Sequence, residues 1–473
     1  MILTASALDS RPAWRTLAAT FGLVFATATF GSGAARAGDN IHGGWSNLAD
    51  WPGVPLHAVI LPDGKMMTVG SNVDGQQTGH LIYDIWDPKQ GSVGGKLTTA
   101  GHLTLPNTTL TDLFCSAQIL LPTTNEIFLA GGDTWGGSAT TGASNNDTLI
   151  LRPNAPNDQK LVPGPDMSRA RWYATLTTLP NGEIYIQGGR QKTSQGGTQG
   201  VDLAEVRATN GSLRALTGMS TAALPWWYPN NWVAPDGRIF GYSFRKMYYV
   251  EPAGIGKITK TQDMPVGLHW HNATVVPDGK VIVTGGSALA DYLVGVNDRA
   301  YIWDPATGQW TEGALTDSHM ARMYHSIGLL LPDASILVGG GGAGGNNLQI
   351  NTNAEIYYPP YLYDSSGAFA KRPKIVSGAT VLKYKGTHNI KVDNGAAITR
   401  VTLIKTGAVT HSVNMEQRFL QLSFTVDPTD GNLLKVKGPL NANLATPGRY
   451  YLFVINGAGV PSVARMVSIA PPV

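Results

Sequence analysis

The sequence predicts an all-β protein, a ring of repeated β-sheet blades followed by a smaller β-sandwich. Three observations predict it. One hairpin unit recurs six times between residues 57 and 342. Gly (57) and Pro (29) are abundant while charged residues are only 14%, which disfavours long solvated helices and favours short strands joined by turns. The last hundred or so residues lose the repeat but keep short β-rich runs.

Ahead of the repeats, Arg11 and Arg15 precede the apolar run "TLAATFGLVFATATFG" and the small-residue site Ala35-Arg36-Ala37. This is the pattern of a secretory signal peptide over residues 1–37, so the mature protein is expected to be secreted or periplasmic. The run is short and interrupted, and no later stretch reaches about 18 apolar residues, so no membrane span is expected. Formal net charge is +3; the leader contributes three Arg minus Asp9, leaving about +1 for the mature chain. No basic patch calls for nucleic acid.

The repeats read "HAVILPDGKMMTVG", "CSAQILLPTTNEIFLAGG", "YATLTTLPNGEIYIQGG", "NNWVAPDGRIFGYS", "HNATVVPDGKVIVTGG" and "YHSIGLLLPDASILVGGGG", with turn prolines at 62, 122, 180, 235, 277 and 332. In Pro-Asp-Gly, Pro presets φ and Gly accepts a positive one, which closes a hairpin between two inner strands. Further runs such as "LIYDIWDP", "DTLILRP" and "AYIWDPATGQW" bring each period to about four strands. That is a kelch-like β-propeller blade, and the propeller is assigned to residues 38–370. The interval from Pro235 to Pro277 is the shortest, so either the ring has six blades or a degenerate blade hides around residues 244–264.

Near residues 358–373 the pattern changes to "YPPYLYDSSGAFAKRPKI". Beyond it, "ITRVTLIKTG", "FLQLSFTV" and "RYYLFVING" are spaced as in an immunoglobulin-like sandwich, assigned to residues 371–473.

Cys115, in "TDLFCSAQILLP", is the only cysteine. Exported proteins use cysteines in pairs, so a single thiol is an inert buried side chain, an intermolecular bridge or a functional group. The repeat bears on the choice. Cys115, Tyr173 and His325 each lie seven residues before the turn proline of their own hairpin, with Tyr324 one step earlier. Equivalent offsets place side chains at similar depth near the propeller axis. A mixed N/O/S group of imidazole, phenol and thiol suits copper better than zinc or calcium.

At these residues the chain resembles the copper radical oxidases, the galactose oxidase and glyoxal oxidase family. "DLFCSAQ", "SRARWYATLTTLPNGEIYIQGG", "RMYHSIGLLLPD" and "VTHSVNMEQRF" match the family's site motifs in order, and "YYLFVINGAGVPSVA" resembles its closing segment. The resemblance implies one copper ion held by Tyr173, Tyr324, His325 and His411, with Cys115 joined through a thioether to the Tyr173 ring. Tyr173 is then the radical carrier, Tyr324 the axial tyrosine and proton acceptor, and His411 a ligand reaching the channel from the sandwich. The implied reaction oxidises a small aldehyde or primary alcohol with O2 and yields hydrogen peroxide. Copper exchanges one electron, so the second needs a neighbouring store.

Family members are seven-bladed, whereas six hairpins are present here. No aromatic follows the cross-link tyrosine in "GGRQKTSQGGTQG", so a ring shielding the radical comes from elsewhere; Trp172, Trp226, Trp227 and Trp270 are the candidates, each also readable as core. Trp172 in Arg-Trp-Tyr, and the absence of a recognisable carbohydrate-binding domain before the propeller, point to the glyoxal oxidase side and to a substrate such as glyoxal, methylglyoxal or a small primary alcohol. His269 and His271 alternate on one strand and are expected to line the channel or touch substrate. Arg171 and Arg322, two residues before the tyrosines, are expected to pack or to form salt bridges. The competing readings are a catalytically inactive propeller that binds a glycan or protein, and a copper protein without the radical.

Overall fold

The computed structural model describes residues 38–472 apart from 77–81, 137–138, 141–143, 194–196, 245, 262–269, 290–291 and 345–346. The leader at 1–37 and His269 lie outside the described residues. Among those described, the only α-helix is the short Pro88–Gly91, and no helix is long and apolar enough to cross a membrane.

Among the described residues each repeat supplies the two inner strands of an antiparallel sheet of at least four strands, and six such sheets are described. The first runs His57–Ile60, Met66–Val69, Ile82–Trp86 and His102–Pro106. The inner strands of the next five are Ala117–Leu120, Trp172–Thr178, Asn230–Val233, Asn272–Val275 and Ser326–Leu330. The sixth sheet is completed by Gly44–Trp45 from the other end of the chain, whose residues pair with Tyr358 and Tyr357. Among the described residues of 244–264, Lys246–Glu251 and Lys257–Lys260 are the third and fourth strands of the fourth sheet.

The turns work as their composition requires. Gly64, Gly182, Gly237 and Gly279 all sit at φ between 86° and 90°. The preceding Asp or Asn accepts from the backbone two residues on, as in Asp63 to Lys65 N (3.1 Å) and Asp236 to Arg238 N (3.0 Å). Apolar residues of facing sheets fill the spaces between blades, for example Ala117, Ile119, Ala174 and Leu176. At 25 cal/mol per Å² of buried apolar area, such interfaces dominate the stability.

The C-terminal part packs two sheets around Leu403, Leu434, Leu452 and Val467. One sheet contains Ile398–Lys405, Phe419–Leu422, Gly448–Asn456 and Arg465–Ile469; the other contains Thr387–Val392 and Leu433–Lys437. Between Lys405 and Phe419 the chain leaves the sandwich as a hairpin, Ala408–Thr410 and Val413–Asn414. That hairpin joins the first propeller sheet, with Thr410 opposite His57 and Val409 opposite Ala58.

The hairpin is tied to every inner strand. Gln118 Nε2 donates to Val409 O (2.8 Å), Thr178 N to Glu416 Oε1 (3.2 Å), and Arg418 to Val233 O. Gln417 both accepts from Val275 N and donates to Val275 O, at 2.9 Å each, and Ser412 N donates to Ser326 O (3.3 Å). Lys405 and Glu416 form a buried ion pair at its base. A loop closed over this many bonds has little freedom left to lose when it presents a side chain to a ligand.

Candidate metal centre

His411 stands at the tip of that hairpin, in left-handed backbone (φ 49°). Cys115, Tyr173 and His325, which share one offset before their turns, also have positive φ: 59°, 75° and 67°. The same offset in the fourth and fifth hairpins gives Tyr228 (φ 33°) and Trp270 (φ 42°). Five non-glycine residues at one repeat position thus hold an uncommon conformation, which persists only where the surroundings over-determine it. Backbone bonds link successive members, Tyr173 N to Cys115 O and Tyr228 N to Tyr173 O, both 3.1 Å.

The side chains converge. Cys115 Sγ lies 3.4 Å from His411 Nε2, and donor atoms of Cys115, His325 and His411 all fall within 4.8 Å of one another. The Tyr173 and Tyr324 hydroxyls are in direct contact. The His411 ring is 5.0 Å from that of Tyr173, 5.2 Å from Tyr324 and 4.7 Å from His325. All five are buried. His325 Nδ1 is 2.6 Å from Gly342 O, which places its proton there and the lone pair on Nε2. His411 Nδ1 meets Thr410 Oγ1 at 2.6 Å, consistent with the same tautomer.

Two imidazoles with the lone pair on Nε2, two phenols and a thiol in one buried knot fit copper, which takes N, O and soft S donors. Burial shifts the proton affinities of these groups. It lowers the pKa of His411, helped by His325 and His57. It raises Cys115 well above the usual thiol value, helped by Asp133 and Asp112, and raises Tyr324, helped by Cys115.

Two buried clamps hold the segments that carry the tyrosines. Arg171 pairs with Glu205 (2.8 Å) and donates to Gly188 O (2.9 Å), while Glu205 accepts from Ser168 N and Oγ (2.8 Å each). Arg322 repeats the device with Glu355 (3.2 Å) and Gly340 O (2.9 Å). The expected salt bridges are therefore present.

Three tryptophans gather at Tyr173: Trp172 at 4.2 Å, Trp227 at 5.3 Å and Trp226 at 5.8 Å between centroids. Trp226 and Trp227 stack at 4.3 Å and 15°. Trp270 lies 4.8 Å from Tyr324 instead. His271 packs against Gly286, where a Cβ would come within 3.0 Å of it.

Two residues escaped the sequence reading. Tyr228 packs edge-on to Tyr173 (4.9 Å) and beside His411 (4.5 Å), and its hydroxyl donates to Ser116 O (2.9 Å). The offset that singled out Cys115 would have found it, had the rule been applied at every turn. His57 lies 5.8 Å from the His411 ring, with Nδ1 3.1 Å from Gln118 Oε1 and burial lowering its pKa to about 3. Nothing local marks it, because its place depends on pairing with a strand some 350 residues away.

Comparison with known proteins agrees with this geometry. Galactose oxidase of Gibberella zeae is 28% identical over 90% of this chain and 70% of its own length. The chain is a galactose oxidase homologue. Aldehyde oxidases of Vitis pseudoreticulata (23% identical; 76% of this chain, 83% of theirs) and Arabidopsis thaliana (30%; 45% and 37%) are also similar to this homologue. Residues 372–469 match the galactose oxidase-like Early set domain. A solved fungal alcohol oxidase of the AA5 family, in complex with copper, shares the fold at a TM-score of 0.71 and 23% identity, covering 90% of this chain and 99% of that one. These relatives are named as oxidases, one of them in complex with copper, and the solved one shares the propeller-and-sandwich fold described above.

Proposed function

We propose that this chain is an exported copper radical oxidase that converts a small primary alcohol or aldehyde with O2 and releases hydrogen peroxide. The signal peptide at 1–37, the six-bladed propeller at 38–370 and the sandwich at 371–473 belong to the same proposal. The observation that carries it is the single buried knot of Cys115, Tyr173, Tyr324, His325 and His411.

His325 Nε2, His411 Nε2 and the two phenol oxygens would hold the copper, which supplies a one-electron acceptor when bound. Tyr173 supplies the second. Joining Cys115 Sγ to the Tyr173 ring removes the S–H and one ring C–H hydrogen, with O2 taking two electrons and two protons. The sulfur spreads the unpaired spin of the oxidised phenol and makes it easier to form. Trp172, Trp226, Trp227 and Tyr228 exclude water around that ring. Tyr324, deprotonated as a copper ligand, would receive the substrate hydroxyl proton at Oη, and the oxidised Tyr173 would take the hydrogen atom from carbon at its Oη. Overall, RCH2OH and O2 become RCHO and H2O2; an aldehyde enters as its hydrate and leaves as the acid.

Mass spectrometry tests the reading. After exposure to copper and air, the tryptic peptides bearing Cys115 and Tyr173 should run as one species lighter by two hydrogens, and Cys115→Ser should abolish both this species and peroxide production. Peptides that always run separately would refute the radical mechanism.

A further inference from the structure

The second strands of the sheets end, and the connections that follow them begin, at the end of the propeller at which Cys115, Tyr173 and His325 stand. Four of the long ones, residues 71–81, 131–147, 189–204 and 341–352, are mainly Gly, Ser, Thr, Asn and Gln. The fifth sheet departs from this with "SALADYLVGV" at 287–296. This loop springs from Gly286, whose N–H donates to Arg322 O (2.7 Å) two residues before Tyr324, and is pinched by a bridge between Ser287 and Val296. Its Leu289, Tyr292, Leu293 and Val294 are 48% to 54% exposed.

A second apolar wall faces the same end from the fourth sheet. Trp227 is 48% exposed although its ring lies 5.3 Å from that of Tyr173. Phe244, 64% exposed, follows Ser243, whose Oγ donates to Pro225 O (2.6 Å) and so ties that hairpin to the Trp226–Trp227 turn. Trp270, against Tyr324, lies on the chain between the two walls. Leaving large apolar side chains in water is unfavourable unless something apolar covers them, and Trp227 is one that touches the site itself.

We propose that the substrate carries an apolar body, an aryl ring or an alkyl chain of several carbons, on its reacting alcohol or aldehyde carbon, and that Trp227 and the Leu289, Tyr292 and Leu293 side chains hold that body. The proposal rests on the oxidase reading of the site. A polyhydroxylated substrate would leave its hydroxyls without partners against Leu and Val, which an apolar wall disfavours.

The test is a peroxide-coupled assay of the copper-loaded full chain on ethanol, butanol, hexanol and benzyl alcohol against glycerol, galactose and glycolaldehyde. kcat/KM should rise about two- to fourfold per methylene, the range for half to full burial of a CH2. Leu289→Ser/Leu293→Ser should flatten that slope, lowering kcat/KM more for hexanol and benzyl alcohol than for ethanol. A slope of zero, or galactose or glycerol exceeding hexanol, overturns the proposal. Saturation-transfer NMR with 2-phenyl-2-propanol, a tertiary alcohol that cannot be oxidised to a carbonyl, gives an answer independent of turnover. Phenyl signals should be strong with the wild type and lost in the double variant; equal signals overturn the proposal. If no compound is oxidised and no cross-link forms, the oxidase reading fails, and the tertiary alcohol still decides the wall. If the double variant differs only in adsorption to an octyl surface, the loop is a surface-docking patch and the substrate proposal is overturned.

Discussion

Arg171→Met separates what the clamp does for stability from what it does for the site. The guanidinium and the Glu205 carboxylate are both essentially inaccessible, and Arg171 sits two residues before Tyr173. Removing Arg171 alone leaves an uncompensated buried carboxylate, which costs about 3–5 kcal/mol. At roughly 2.1 cal/mol/K per residue, a cooperative unit of this size loses about 1 °C of Tm per kcal/mol, so a fall of about 3–5 °C is expected. Adding Glu205→Leu removes the stranded charge. The double variant should recover part of the loss and retain about 1–3 kcal/mol of it, because Gly188 O and Ser168 N lose their partners. Even with that recovery, the Tyr173 segment has lost its tie to the adjacent strands, so the Cys115–Tyr173 cross-linked peptide should stay scarce. Calorimetry of the copper-free proteins reads the first effect and peptide mass the second. If Arg171→Met costs under about 1 kcal/mol, or the double variant cross-links as fully as wild type, the clamp does not position Tyr173.

Gln417→Ala removes both bonds to Val275. Losing about 1–2 kcal/mol of anchoring should weaken apparent copper affinity roughly 5- to 30-fold in a competition titration, and unchanged affinity would show that the other ties suffice. Asp278, at the turn of the fifth sheet, has its pKa raised by burial despite Lys280 and Arg400. Its folded pKa lies above the unfolded value near 4, so stability is full below that value and falls as pH rises through the folded pKa. Asp278→Asn, which keeps the acceptor for Lys280 N, should therefore match wild type in Tm at pH 3.5 and exceed it at pH 7; equal Tm at both would refute the burial argument.

The strands and turns were legible because their causes are local. A proline, then a residue with positive φ, marks each hairpin; that residue is glycine in four of the six copies and Asn125 or Ala334 in the other two, and the copies let each confirm the others. The site was legible to the extent that it shares this periodicity. Cys115, Tyr173 and His325 occupy one repeat position, and so do Tyr228 and Trp270, all five in left-handed backbone. The repeat gives the fold a ready-made ring of inward positions, and the site occupies it at the price of strain.

His411 and His57 obey a different logic. The hairpin that carries His411 has neither the repeat nor its turn signature, and what places it is a set of bonds to six strands spread from residue 57 to residue 326. No window of the sequence contains those partners, so only resemblance could assign His411, and nothing could assign His57. The same physics explains why the sandwich is attached at all. The ring of blades presents a thiol, phenols and one imidazole from its own repeats, and the second imidazole enters along the axis. A metal held there as proposed would join both parts of the molecule, and by mass action would stabilise their junction only while His411 is a ligand.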